Sequence, residues 1–122
     1  MKRQLAYICS AQRGTVWEYT QKAREYCREV YEAGYIPICP HIFFPQFLRA
    51  SVPEENKDGT EMACQLLRRC HVLIVCENEI SFGMMNEIAL AERLNITATT
   101  LESILTVKTQ GRKPREDQVT EV

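Results

Sequence analysis

The sequence predicts an α/β fold: a three-layer sandwich around a mostly parallel sheet of about four or five strands. Three observations predict it. "QLAYIC" and "HVLIVC" are short apolar runs rich in β-formers, the pattern of strands buried on both faces. Between them lie helix-like segments whose apolar residues recur every three or four positions. The first of these is long enough to cross over between parallel strands.

The elements follow in order. Residues 4–9, "QLAYIC", form the first strand, and the polar loop "SAQRGT" (10–15) follows. From Val16 to Ala33, positions Val16, Tyr19, Ala23, Tyr26, Cys27, Val30 and Tyr31 share a helical stripe, and Gly34 stops the helix. "YIPICP" (35–40) is the second strand, ended by Pro40, which completes a βαβ unit. "HIFFPQFLRASVPEENKDG" is interrupted by Pro45 and Pro53 and reads as a loop with one helical turn near Gln46–Arg49. A helix starting at Glu54 or Thr60 runs to Arg69, with Met62, Ala63, Leu66, Leu67 and Cys70 as its apolar stripe. "HVLIVC" (71–76) is the third strand, and Ser81 is the N-cap of a helix running to Leu94. "ITATTL" is a candidate last strand. Residues 1–107 are expected to form the domain, and "KTQGRKPREDQVTEV", from Lys108, a polar tail that is mobile or orders only against a partner.

Composition narrows the function classes. With 122 residues, 45% hydrophobic and 25% charged, the chain suits one globular domain that needs no metal or disulfide for its core. Fifteen basic and 16 acidic residues leave a net charge of -1, which argues against a nucleic acid polymer as partner. A local basic pocket for a small phosphate remains compatible with it. The six cysteines are dispersed through apolar segments such as "AYIC" and "LIVC", as buried thiols of a reducing compartment are. "MKRQLAYICS" has too short an apolar run for a secretory leader, so a cytoplasmic location is expected. No CxxC pair occurs and His41 lies far from His71, so no metal is expected. No apolar run approaches the ~20 residues of a membrane span. Neither GxxxxGK[ST] nor GxGxxG is present, and no cofactor is expected.

In open α/β sheets ligands bind beyond the carboxyl ends of the strands, and three loops arrive there. The first carries Ser10, Gln12, Arg13 and Gly14 just before a helix N-terminus, a setting suited to phosphate, or simply a capped turn with a solvated arginine. The second carries His41, Phe43 and Phe44: an apolar wall for a nucleobase, or ordinary core with a hydrogen-bonded histidine. The third leads to Glu87, with Gly83, Leu90, Ala91 and Leu94 on its helix face. That face is apolar, so Glu87 is either a partly buried pocket carboxylate or a plain helix charge.

Together, "AYICSAQRG", "GYIPICPHIFFPQFL", "LLRRCHVLIVC" and "ISFGMMNEIALAERL" resemble the nucleoside 2-deoxyribosyltransferase-like superfamily. The likeness is to its small branch found in bacterial mobile elements and phages, and spans roughly residues 5–97. It implies a flavodoxin-like, Rossmann-like fold and chemistry at an N-glycosidic bond. In the implied motif S-x-G-x-x-x-E, Ser81 and Gly83 precede the nucleophile Glu87, and Tyr7 positions it. Ser10, Arg13 and Gly14 match the phosphate or sugar contact. A carboxylate suits the reaction because it stabilises, and can trap, an oxocarbenium-like sugar. A second acid normally serves the leaving base. Here the resemblance breaks down, because His71 and Ala63 stand near positions where acids are usual. Glu61 or Asp58 is the nearest substitute.

Two functions are therefore expected of such a chain. It is a nucleoside or nucleotide N-glycosidase or deoxyribosyltransferase acting through Glu87. Alternatively it is a non-catalytic protein that sequesters a nucleotide, such as a host-defence signal. A homodimer or larger homo-oligomer is expected, burying part of "HIFFPQFL".

Overall fold

The computed structural model describes residues 2–111. Four parallel strands, β1 (Leu5–Cys9), β2 (Ile36–Ile38), β3 (Val72–Val75) and β4 (Thr97–Thr100), form one sheet in the order β2-β1-β3-β4. The helices are α1 (Val16–Glu32), α2 (Pro40–Phe43), α3 (Pro53–Arg68), α4 (Phe82–Arg93) and α5 (Leu101–Gly111). The fold is the expected α/β sandwich, and its strand order is that of a flavodoxin-like sheet.

Alternation along β1 explains the layers. Leu5, Tyr7 and Cys9 pack on one face, against Leu67 of α3 and Met84, Leu90 and Ala91 of α4. Ala6 and Ile8 pack on the other, against Val30 of α1 and Leu101 and Ile104 of α5. Both faces are covered, which is why "LAYIC" is continuously apolar rather than alternating. All six cysteines are free thiols.

Helix ends follow local chemistry. Thr15 caps α1 in a capping box with Glu18, and Ser81 caps α4, its hydroxyl accepting from Met84 N–H at 3.2 Å. Gly34 takes a φ of +103° after α1, allowing Tyr35 N–H to reach the Val30 carbonyl at 3.2 Å. Asn95 plays the same part after α4, with a φ of 58° and Ile96 N–H on the Ala91 carbonyl at 2.8 Å.

Three segments depart from expectation. Pro40 ends the strand but also opens α2 at its first position, where a missing N–H costs nothing, so the expected loop begins with a helix. The helical turn expected near Gln46–Arg49 is a 3-10 turn at Phe44–Gln46. The boundary expected at Lys108 falls inside α5, whose backbone continues to Gly111, while residues 112–122 of the expected tail lie outside the described residues. No helix among the described residues is long and apolar enough to cross a membrane.

Candidate functional site

β1 and β3 are neighbours, but their following helices, α1 and α4, lie on opposite faces of the sheet. Their exit loops diverge, and a crevice opens at the carboxyl ends of the strands. A cavity of about 790 Å³ occupies it and continues between α3 and α4. Its size lies within the range of small-molecule sites, about 300–1,000 Å³.

Glu87 stands at the centre. Phe82 is the first residue of α4, so Glu87 lies about one and a half turns in, and its side chain turns inward over β1. The Tyr7 phenol, fully buried, donates to Glu87 Oε2 at 2.6 Å. Glu87 Oε1 is buried with no hydrogen-bond partner among the described residues. Burial pushes the carboxyl above its ordinary 4.5, while the hydrogen bond from Tyr7 and the nearby Cys9 thiol pull it back. Burial and the neighbouring carboxylate both push the Tyr7 phenol upward, so it stays protonated and remains a donor.

The first loop is pinned by the loop that follows β3, the neighbouring strand. Arg13 donates to Glu77 Oε1 and to the Glu79 carbonyl, both at 3.0 Å, and Tyr26 donates to Glu77 Oε2 at 3.2 Å. Arg13, Ser10 and Gln12 all line the cavity, and Ser10 is buried. Gly14 does not line it. A φ of +84° and the approach of the Glu18 carboxylate, which a Cβ would overlap, account for glycine there.

The second loop divides. His41 and Phe44 line the cavity, whereas Phe43 faces outward, 60% exposed, with its ring 5.2 Å from that of Phe47. His41 Nε2 is buried without a partner among the described residues. Burial lowers the imidazole below its ordinary 6.5, against the pull of Glu77. Two residues of the lining, Glu87 and His41, thus each carry a buried polar atom without a partner among the described residues, a feature that favours a polar ligand close by. Ser81 and Gly83 also line it, and a Cβ on Gly83 would meet nothing within 4 Å.

The second acid has no obvious candidate. Ala63 lines the cavity, but Glu61 is exposed and does not, being two residues and about 200° around the helix from it. Asp58 is likewise exposed and outside the cavity. His71 lies at the opposite edge of the sheet, where Nδ1 accepts from Leu5 N–H at 2.9 Å and its own N–H donates to the Leu5 carbonyl. His71 thus starts the pairing of β1 with β3. Glu55 and Glu87 are the carboxylates lining the cavity, and Glu55 Oε1 accepts from Arg49 N–H at 2.7 Å.

Sequence reasoning missed the α3 wall, where Asn56, Thr60, Ala63 and Leu67 face the cavity at helical spacing. Three arginines of the cavity lining, Arg49, Arg68 and Arg93, were missed as well. The α3 stripe was visible as a period, but a period cannot distinguish a cavity wall from core.

A search of curated proteins finds no match to the chain. One family model, described as a domain of unknown function (DUF7768), matches residues 4–101, which include every strand and the residues that line the cavity. The chain belongs to that DUF7768 family.

Proposed function

We propose that the cavity binds a nucleoside or nucleotide, and that Glu87 acts on its N-glycosidic bond in the manner of the deoxyribosyltransferase-like enzymes the sequence resembles. The observation that carries this reading is the Tyr7–Glu87 pair: in a residue that lines the cavity, one carboxylate oxygen is held by the phenol and the other is buried and unpaired among the described residues. In the reaction, Glu87 Oε1 attacks the anomeric carbon as the C–N bond breaks, and the bonding pair leaves with the base. Water or a second base then displaces Glu87 from the glycosyl ester. Tyr7 fixes the carboxylate's orientation through Oε2 and leaves Oε1 without a competing partner among the described residues. Arg13, Ser10 and the N-terminus of α4 suit a phosphate.

A second reading, sequestration without turnover, is favoured by the lining itself. No carboxylate other than Glu55 and Glu87 reaches the cavity among the described residues, and Glu55 is engaged by Arg49. A poor leaving base would then depart unprotonated, which slows the step. One experiment separates the two readings. Incubate the protein with nucleosides and nucleoside monophosphates and follow free base by chromatography. Base release that Glu87→Gln abolishes supports catalysis. Depletion of ligand, recovered intact on denaturing the protein, supports sequestration. Neither outcome across the panel would sink both.

The same reading includes a homodimer or larger assembly in the cytoplasm. Phe43 and Phe47, 60% and 55% exposed beside the cavity, support self-association.

A further inference from the structure

Four arginines line the cavity, and they are not equivalent. Arg13 is paired with Glu77, and Arg49 sits 3.6 Å from Glu55. Arg68 and Arg93 have no carboxylate within ion-pair distance and donate no side-chain hydrogen bond among the described residues. Arginine in a last helical turn often serves the helix's own carbonyls. The neighbouring Arg69 does so, donating to the Gln65 carbonyl at 2.9 Å. Arg68 and Arg93 do not, and they face the cavity instead.

Sheet register gives these two matching positions. Arg68 closes α3 and Arg93 closes α4. Each lies four residues ahead of its strand's first paired residue, and those residues, Val72 and Thr97, are partners. Both arginines therefore stand at the same level, at the amino edge of the sheet. Ser81 and Gly83 mark the other end of the cavity, at the carboxyl edge. From Gly83 to Arg93 the helix rises about 15 Å. Glu87 lies between the two ends.

We infer that the cavity takes a two-ended anionic nucleotide, whose second phosphate is held by Arg68 and Arg93. This rests on the nucleotide reading above and extends it to the ligand class. A mononucleotide bound at the upper end, with its sugar at Glu87, leaves the lower end unfilled. A nucleotide carrying a further phosphorylated unit reaches both ends. Paired guanidinium groups on a phosphate make forked, charge-assisted hydrogen bonds, and a carboxylate-free end of the cavity favours anions.

The test uses calorimetric titration of the full chain with nucleoside 5'-monophosphates of the four common bases and their 5'-phosphorylated di- and trinucleotides. The expected result is that a longer ligand binds at least about tenfold tighter than its mononucleotide. Arg68→Gln/Arg93→Gln should remove that gain and leave mononucleotide affinity unchanged. Both positions are exposed, so the double variant should keep its fold, checked by its melting curve. Equal affinity for short and long ligands, or a gain that survives in the double variant, overturns the inference and leaves the nucleotide reading standing. If no nucleotide binds at all, that reading falls and takes this one with it.

Discussion

Tyr7 Oη and Glu87 Oε2 lie 2.6 Å apart, although 80 positions separate the two residues in the chain. The bond ties a central strand to the helix beyond the third strand and fixes the orientation of a carboxylate that lines the cavity. Tyr7→Phe removes the donor and leaves a buried acceptor short of a partner. The expected loss at pH 7 is about 1–3 kcal/mol, read from denaturant unfolding. At a pH low enough to protonate Glu87 the loss should shrink, because a neutral carboxyl demands less of its partner. A loss independent of pH would mean that Tyr7 matters only for packing.

Glu87 itself sets a pH dependence whose sign follows from its shift. Its native value lies above its ordinary 4.5, so between those two values the native state holds a proton that the unfolded chain has released. Stability should fall as pH rises through that window, and Glu87→Gln should flatten the slope. Above the window the variant should melt higher than the parent, by about a few degrees, and near pH 4 the two should coincide. Parallel melting curves across the range would contradict the buried-carboxylate account.

Gly83 lies at the mouth with open space where a side chain would be. Gly83→Leu should therefore leave the melting temperature unchanged or raised, since glycine is a poor helix former. It should weaken nucleotide binding by about tenfold or more by occupying the entrance. Calorimetry and a thermal melt on one preparation check both halves. Unaltered binding would mean that the ligand enters elsewhere.

Arg13 is paired but 46% exposed, so the ion pair with Glu77 contributes little to stability, about 0–1 kcal/mol. Arg13→Ala should barely move the unfolding curve. It should reduce the preference for a 5'-phosphorylated nucleoside over the unphosphorylated one, measured by competition. Equal loss for both ligands would mean that the loop as a whole, rather than the guanidinium, had been disturbed.

Phe43 and Phe47 stack edge to face on the surface, their centroids 5.2 Å apart. Phe43→Ser/Phe47→Ser should convert the expected dimer to monomer in light scattering at micromolar concentration, with little change in secondary structure. A parent protein that is already monomeric would refute the assembly.

Much of the architecture is legible in the sequence because it rests on local pattern. Strands buried on both faces leave continuous apolar runs, "LAYIC" and "VLIV". Crossover helices leave a period, and their ends leave Thr15, Ser81 and Gly34 as caps and stops. α5 escaped notice because its first residue, Leu101, was read as the end of a strand, and the expected polar tail begins within it. Glu87 could be picked out by its place after the third strand, since topology alone directs that loop to the crevice.

Tertiary structure decided what each candidate side chain meets. Ala63 and Glu61 are two residues apart, yet only Ala63 reaches the cavity, because helical rotation separates their directions. Gly14 looked like part of a site and His71 stood where an acid is usual, but one accommodates the Glu18 carboxylate and the other joins β1 to β3. Arg68 and Arg93 close two separate helices, and only strand register shows that they stand at one level. Periodicity records which residues share a face of one element. The position of that face against another depends on contacts between distant parts of the chain, and those are absent from any local window.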